Sequence, residues 1–101
     1  MQYRIDMSDN ILTVSLAGEI DHHNIEPVRE AVDGAILSRR PSLLILDFSK
    51  ISFMDSSGFG FVMGRYKTMN SLGGQVIVRG SNKRIKMILE LSGAGKYVTI
   101  E

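Results

Sequence analysis

Met54-Asp55-Ser56-Ser57-Gly58 separates an apolar run, Leu43 to Phe48, from a helix-period pattern that begins at Phe59. That succession predicts a strand, a short loop and a helix start. A carboxylate and two hydroxyls fall where helix-capping side chains belong, so one of them can accept hydrogen bonds from the unpaired amides of the first turn. The other hydroxyl is then left facing outward. A serine so placed lies near free N–H groups and the positive end of a helix dipole, surroundings that suit a phosphate. Ser56 is therefore the candidate phosphorylation site.

Leu43-Leu44-Ile45-Leu46 lacks alternation, which predicts a central strand covered on both faces in a parallel sheet, with Asp47 to Lys50 carrying the chain out of it. Before it, Ile25, Val28, Val32, Ala35 and Ile36 make one apolar helical stripe. Asn24 or Asp21 can cap this helix, Pro27 is tolerable in its first turn, and Arg39-Arg40 suit its negative end. Gln2 to Met7 and Ile11 to Ala17 read as strands, the second with Ile11, Thr13 and Ser15 on one side and Leu12, Val14 and Leu16 on the other. The turn Ser8-Asp9-Asn10 between them predicts an antiparallel hairpin.

On the carboxyl side, Phe59, Val62, Met63, Tyr66 and Met69 share one face of the helix, and Gly60, Phe61, Gly64 and Thr68 share the opposite arc. A glycine inside a helix costs about 0.5–1 kcal/mol relative to alanine. With Phe61 beside the glycines, the arc is read as a partner-docking face in preference to the alternative, that neighbouring loops cover Phe61 and the glycines ease packing inside the domain. Gln75 to Arg79 is a strand, Ser81 caps a helix that buries Ile85, Ile88 and Leu89, Gly93 stops it, and Lys96 to Ile100 is the last strand. The sum is one α/β domain over residues 1–101, ordered β-β-α-β-α-β-α-β, with a mixed, mostly parallel five-stranded sheet and three helices.

Composition narrows the function. A chain of 101 residues makes one modest core, and the absence of Cys excludes disulfides and thiolate metal sites. The start lacks a signal-like apolar region and no apolar run approaches ~20 residues, so a soluble cytoplasmic protein with no membrane contact is expected. Residues 1–55 carry nine acidic and five basic side chains, residues 56–101 two and seven. The basic cluster Lys83-Arg84-Lys86 has no aromatic interleaving, which favours a solvated face over direct nucleic-acid contact.

The enzyme alternatives are a small serine hydrolase or a nucleotide-binding α/β protein. Gly58-Phe59-Gly60-Phe61-Val62-Met63-Gly64 misplaces its third glycine for a dinucleotide loop, no phosphate-loop sequence occurs, and Met54 stands where a nucleophile elbow needs glycine. Ser56, His22 and Asp47 would be the members of a hydrolytic triad. His22-His23 has no third metal ligand at a recognisable spacing. Asp47 as a phosphoryl-accepting aspartate lacks the paired acids that would hold magnesium. No cofactor is implied.

Gly18-Glu19-Ile20-Asp21-His22-His23, Phe53-Met54-Asp55-Ser56-Ser57-Gly58 and Gly64-Arg65-Tyr66-Lys67 together resemble the anti-sigma-factor antagonists of the STAS domain family, and the likeness runs from about Ile5 to the end. The Asp-His-His turn narrows it to the sporulation branch. The resemblance implies a STAS-like fold and a partner switch. The unmodified chain binds an anti-sigma factor that is also a serine kinase and frees a sigma factor for sporulation-specific transcription. The kinase phosphorylates the chain and the complex parts, until a PP2C-type phosphatase restores the hydroxyl. By position in the motif the acceptor is Ser56, and Asp21 matches an acidic residue of the kinase-contacting loop.

The expected partner-binding set is Asp21, His22, Asn24, Asp55, Ser57, Gly58, Gly60, Phe61 and Gly64. If the strands before Asp21 and Asp55 run parallel, both loops emerge at one edge beside Ser56. Members of the branch usually continue into a C-terminal helix, whereas this sequence stops at Glu101: either the sequence is shortened, or apolar surface is left bare in a way that favours self-association.

Overall fold

Asp9 and Asn10 both adopt positive φ, 50° and 67°, the left-handed pair that a two-residue type I′ hairpin turn requires. They join β1 (Gln2–Ser8) to β2 (Ile11–Ile20), which pair antiparallel from Ser8↔Ile11 to Gln2↔Ala17. The computed structural model describes residues 1–101. After the hairpin come α1 (Ile25–Arg39), β3 (Leu43–Met54), α2 (Ser56–Ser71), β4 (Gln75–Arg79), α3 (Lys83–Leu91), a 3-10 turn at Ala94–Lys96 and β5 (Thr99–Ile100). The element order and the mixed five-stranded sheet are those predicted from the sequence.

The strands lie in chain order, β1-β2-β3-β4-β5, and β2 to β5 are parallel. Three right-handed crossovers stepping the same way across a sheet place their helices on the same face. Leu12, Val14 and Leu16 of β2, Leu44, Leu46 and Phe48 of β3 and Val76 and Val78 of β4 form the floor of that core. Val28, Val32 and Ile36 of α1, Val62 and Met69 of α2, and Ile85 and Leu89 of α3 close it from above. Each such side chain removed from water contributes about 1.5–3 kcal/mol, which conformational entropy largely offsets.

Four sequence expectations are corrected. β3 is central but carries helices on one face only, because a strand order without reversal leaves no crossover for the other side; Ile45 there is flanked in register by Thr13 and Ile77. β3 also runs on to Met54 instead of leaving the sheet after Phe48, since β2 continues beside it to Ile20 through register shifts at Ser15/Ala17 and Gly18/Glu19. The cap of α3 is Asn82, not Ser81, with Asn82 Oδ1 accepting from the Ile85 amide at 2.9 Å. Lys96 belongs to the 3-10 turn, which leaves β5 two residues long.

Candidate functional site

The parallel pairing of β2 and β3 ends at Ile20↔Met54, and the Asp55 amide donates to the Ile20 carbonyl at 3.1 Å. The loops that begin at Asp21 and Asp55 therefore leave one edge of the sheet side by side, as expected. Asp55 is the N-cap of α2: its Oδ1 accepts from the Ser57 amide at 2.9 Å and from the Ser57 hydroxyl in a short contact. The division of labour follows from that cap. Ser57 is half-buried and engaged, whereas Ser56 is exposed and takes no part in it.

The neighbouring loop is just as tightly organised. Asp21 Oδ1 accepts from the amides of His23 and Asn24 at 2.9 and 2.8 Å, while Asn24 Oδ1 accepts from the Asp21 amide at 2.9 Å. Asn24 Nδ2 donates to the Glu19 carbonyl at 2.7 Å. Asp21 thus organises the turn before α1, and Asn24 reaches back instead of capping the helix. The Asn24 amide, helped by that of His23, holds the Asp21 carboxyl below its ordinary range, and the Ser57 hydroxyl and amide do the same for Asp55. Both acids stay ionised beside Ser56.

His22, Glu26, Arg29, Ser57, Gly60 and Phe61 line a cleft of about 300 Å³ between the amino ends of α1 and α2. Two residues expected on a docking surface, Phe61 and Gly58, are turned inward. Phe61 is 3% exposed and Arg65, one turn later, is 5% exposed, because α2 is the middle helix of three and must cover α1 as well as the sheet. Helical period reveals a stripe but not how many neighbours a helix has. Gly58 is also buried: a Cβ there would lie 2.5 Å from Met54 Sδ and 3.0 Å from Met54 Cβ. Gly60 and Gly64 face open space, so their lack of a side chain serves no packing within the domain.

Arg65 was not anticipated as a core residue. Its Nε lies 3.0 Å from Asp33 Oδ1 on α1, and its guanidinium sits 5.1 Å from the Phe61 ring centroid. Nη1 has no partner, and burial pulls the guanidinium pKa down while Asp33 opposes the shift. Asn82 is a second unanticipated tie, since its Nδ2 donates to the Ile51 carbonyl at 3.3 Å and fastens α3 to the far end of β3. Only the fold brings these pairs together, being 32 and 31 residues apart in the chain.

The hydrolytic triad is not assembled. Asp47 lies mid-strand on the helix-free face, where its Oδ1 accepts from the Ser49 amide at 2.9 Å, while His22 packs on His23 in the edge loop. The strand order never reverses, so the crevice in which doubly wound sheets receive nucleotides does not arise.

A family model for the STAS domain matches residues 2–101. The chain belongs to the STAS domain family. This STAS domain is 37% identical over 100 residues to an anti-sigma F factor antagonist of Paenibacillus polymyxa, an alignment covering 99% of this chain and 86% of that protein. It is similar, at TM-score 0.86 and 29% identity, to the anti-sigma factor antagonist SpoIIAA in its unphosphorylated form, over 99% of this chain and 88% of that one. The Bacillus cell fate determinant SpoIIAA in its phosphorylated form matches at TM-score 0.80 and 29% identity, over 99% and 91%. No helix of this STAS domain is long and apolar enough to cross a membrane.

Proposed function

We propose that this STAS domain is an anti-sigma factor antagonist whose free form binds an anti-sigma factor with serine kinase activity and so releases a sporulation sigma factor. The single observation that carries the reading is the outward hydroxyl of Ser56, left unused by a cap that Asp55 and Ser57 complete. Asp21, His22, Asn24, Asp55 and Ser57 lie at the same edge, Gly60 and Gly64 continue from it along the open arc of α2, and together they make the docking surface. Phosphorylation adds about 1.5–2 negative charges and three oxygens beside two ionised carboxylates. Where the partner presents an acidic or nucleotide-bearing surface to Ser56, that bulky charged group clashes with it, and a shift of about 1.4 kcal/mol exchanges competing complexes tenfold. A PP2C-type phosphatase resets the switch.

Little rearrangement is required of the domain. A neighbour solved in unphosphorylated and phosphorylated forms resembles this fold in both, which supports a change of surface over a change of fold. The test is incubation with the cognate kinase and ATP, read by intact mass, alongside calorimetric titration of variants. One added phosphate is expected on the wild type and none on Ser56→Ala, which should bind the kinase yet never be released, while Ser56→Asp binds poorly. Equal affinity of the two variants would overturn the switch.

A further inference from the structure

Phe53 is 43% exposed although it lies within β3, and its register partner on β2 is Glu19. The next pair, Met54 and Ile20, points into the helix-covered core, so alternation places Phe53 and Glu19 on the helix-free face. Of the other large exposed apolar side chains, Tyr3 is on β1, Met87 on α3 and Tyr97 after the 3-10 turn, while Leu37 and Leu91 stand at the carboxyl ends of α1 and α3, at the opposite edge of the sheet. Phe53 stands just before the Asp55 cap and Ser56.

The strand beneath it is held from both sides. Ser52 Oγ donates to the Gly18 carbonyl at 3.4 Å, and Asn82 Nδ2 donates to the Ile51 carbonyl at 3.3 Å. A rigid aromatic on a fixed strand loses little conformational freedom when a partner covers it, which is the property of interface anchors. On the β2 side Glu19 lies beside it in register and Asp21 follows, while Lys50 lies further back along β3, so the complementary surface is an apolar pocket with a basic side chain towards Glu19.

Resting on the function proposed above, we infer that Phe53 is an apolar anchor for the anti-sigma factor. The partner's footprint wraps round the carboxyl edge of the sheet, reaching from the Ser56 side onto the helix-free face. Phosphate at Ser56 then acts on a contact whose apolar half is a few residues away, and both halves part together.

The experiment is calorimetric titration of the full chain against the cognate anti-sigma factor. Phe53→Thr keeps a strand-forming residue, and Leu37→Ala removes a comparably exposed apolar group from the opposite edge. Phe53→Thr is expected to weaken binding by about tenfold, with Leu37→Ala unchanged. Photo-crosslinking from benzoylphenylalanine at position 53, but not at position 37, reads the same contact without depending on the stability of the threonine variant. Failure of the wild type to bind would remove the functional reading itself. Wild-type binding with a loss below about threefold in Phe53→Thr, or no crosslink from position 53, would remove the anchor alone.

Discussion

The Asp55 amide donates to the Ile20 carbonyl at 3.1 Å, and this bond fastens the turn that carries Ser56 to the turn that Asp21 organises. Two loops about 35 residues apart in the chain are thereby tied together, which is what a surface read by a single partner needs. The consequences of that construction can be measured.

Ser56 and Ser57 should separate cleanly in stability. Ser56 is exposed and outside the cap, so Ser56→Ala is expected to change unfolding free energy by no more than about 0.5 kcal/mol. Ser57→Ala removes the hydroxyl that Asp55 accepts and should lower the denaturation midpoint measurably. Urea titration followed by circular dichroism checks both, and equal midpoints would show that the hydroxyl contact contributes nothing.

Gly58 is needed for close approach to Met54. Gly58→Ala gains helix propensity but drives a methyl into that side chain, for a net loss of about 1 kcal/mol. In a Met54→Ala background the same substitution should cost nothing or stabilise. A double-mutant cycle in chemical denaturation gives the coupling, and additivity would place the strain elsewhere.

Asp33 and Arg65 bind α1 to α2, and the guanidinium is the more deeply buried partner. Asp33→Ala strands a buried cation and is expected to cost about 2 kcal/mol, whereas Arg65→Met exchanges it for apolar volume and should cost less than about 1 kcal/mol. Thermal unfolding of the two variants decides the order. The reverse ranking would make the guanidinium, through its packing on Phe61, the larger contributor.

The pH response has a determined sign. Asp55 and Asp21 have carboxyls held below the ordinary range by hydrogen bonds from Ser57 and from Asn24 and His23. A group depressed in the folded state adds stability above its unfolded pKa, about 4, and loses it as pH falls through the folded value. Melting temperatures should drop across that acid window in the wild type and less steeply in Asp55→Asn. Parallel curves would mean that Asp55 does not contribute to the acid-side loss.

Much of this was legible in the residue order. Alternation from Ile11 to Leu16 disclosed the first buried strand, and the polar interruption at Asp55 and Ser56 disclosed the strand-to-helix turn with its division into cap and free hydroxyl. What escaped depended on neighbours. The burial of Phe61 and Arg65 required knowing that α2 has α1 alongside it, and the length of β3 required the register shifts in β2 that let the pairing continue. The exposed underside of β3 followed from strand order, which periodicity does not encode. Asn82 rather than Ser81 caps α3 because the side chain also had a carbonyl of β3 within reach.

The succession β1-β2-β3-β4-β5 bears on how the molecule comes into being. Each strand pairs with the one synthesised just before it, so every ring closed during folding is short and contact order stays low for a parallel sheet. The growing chain can add one strand and its covering helix at a time, never waiting for a distant segment. The two residues of β5 are the last to dock and should be the first whose amides exchange with solvent.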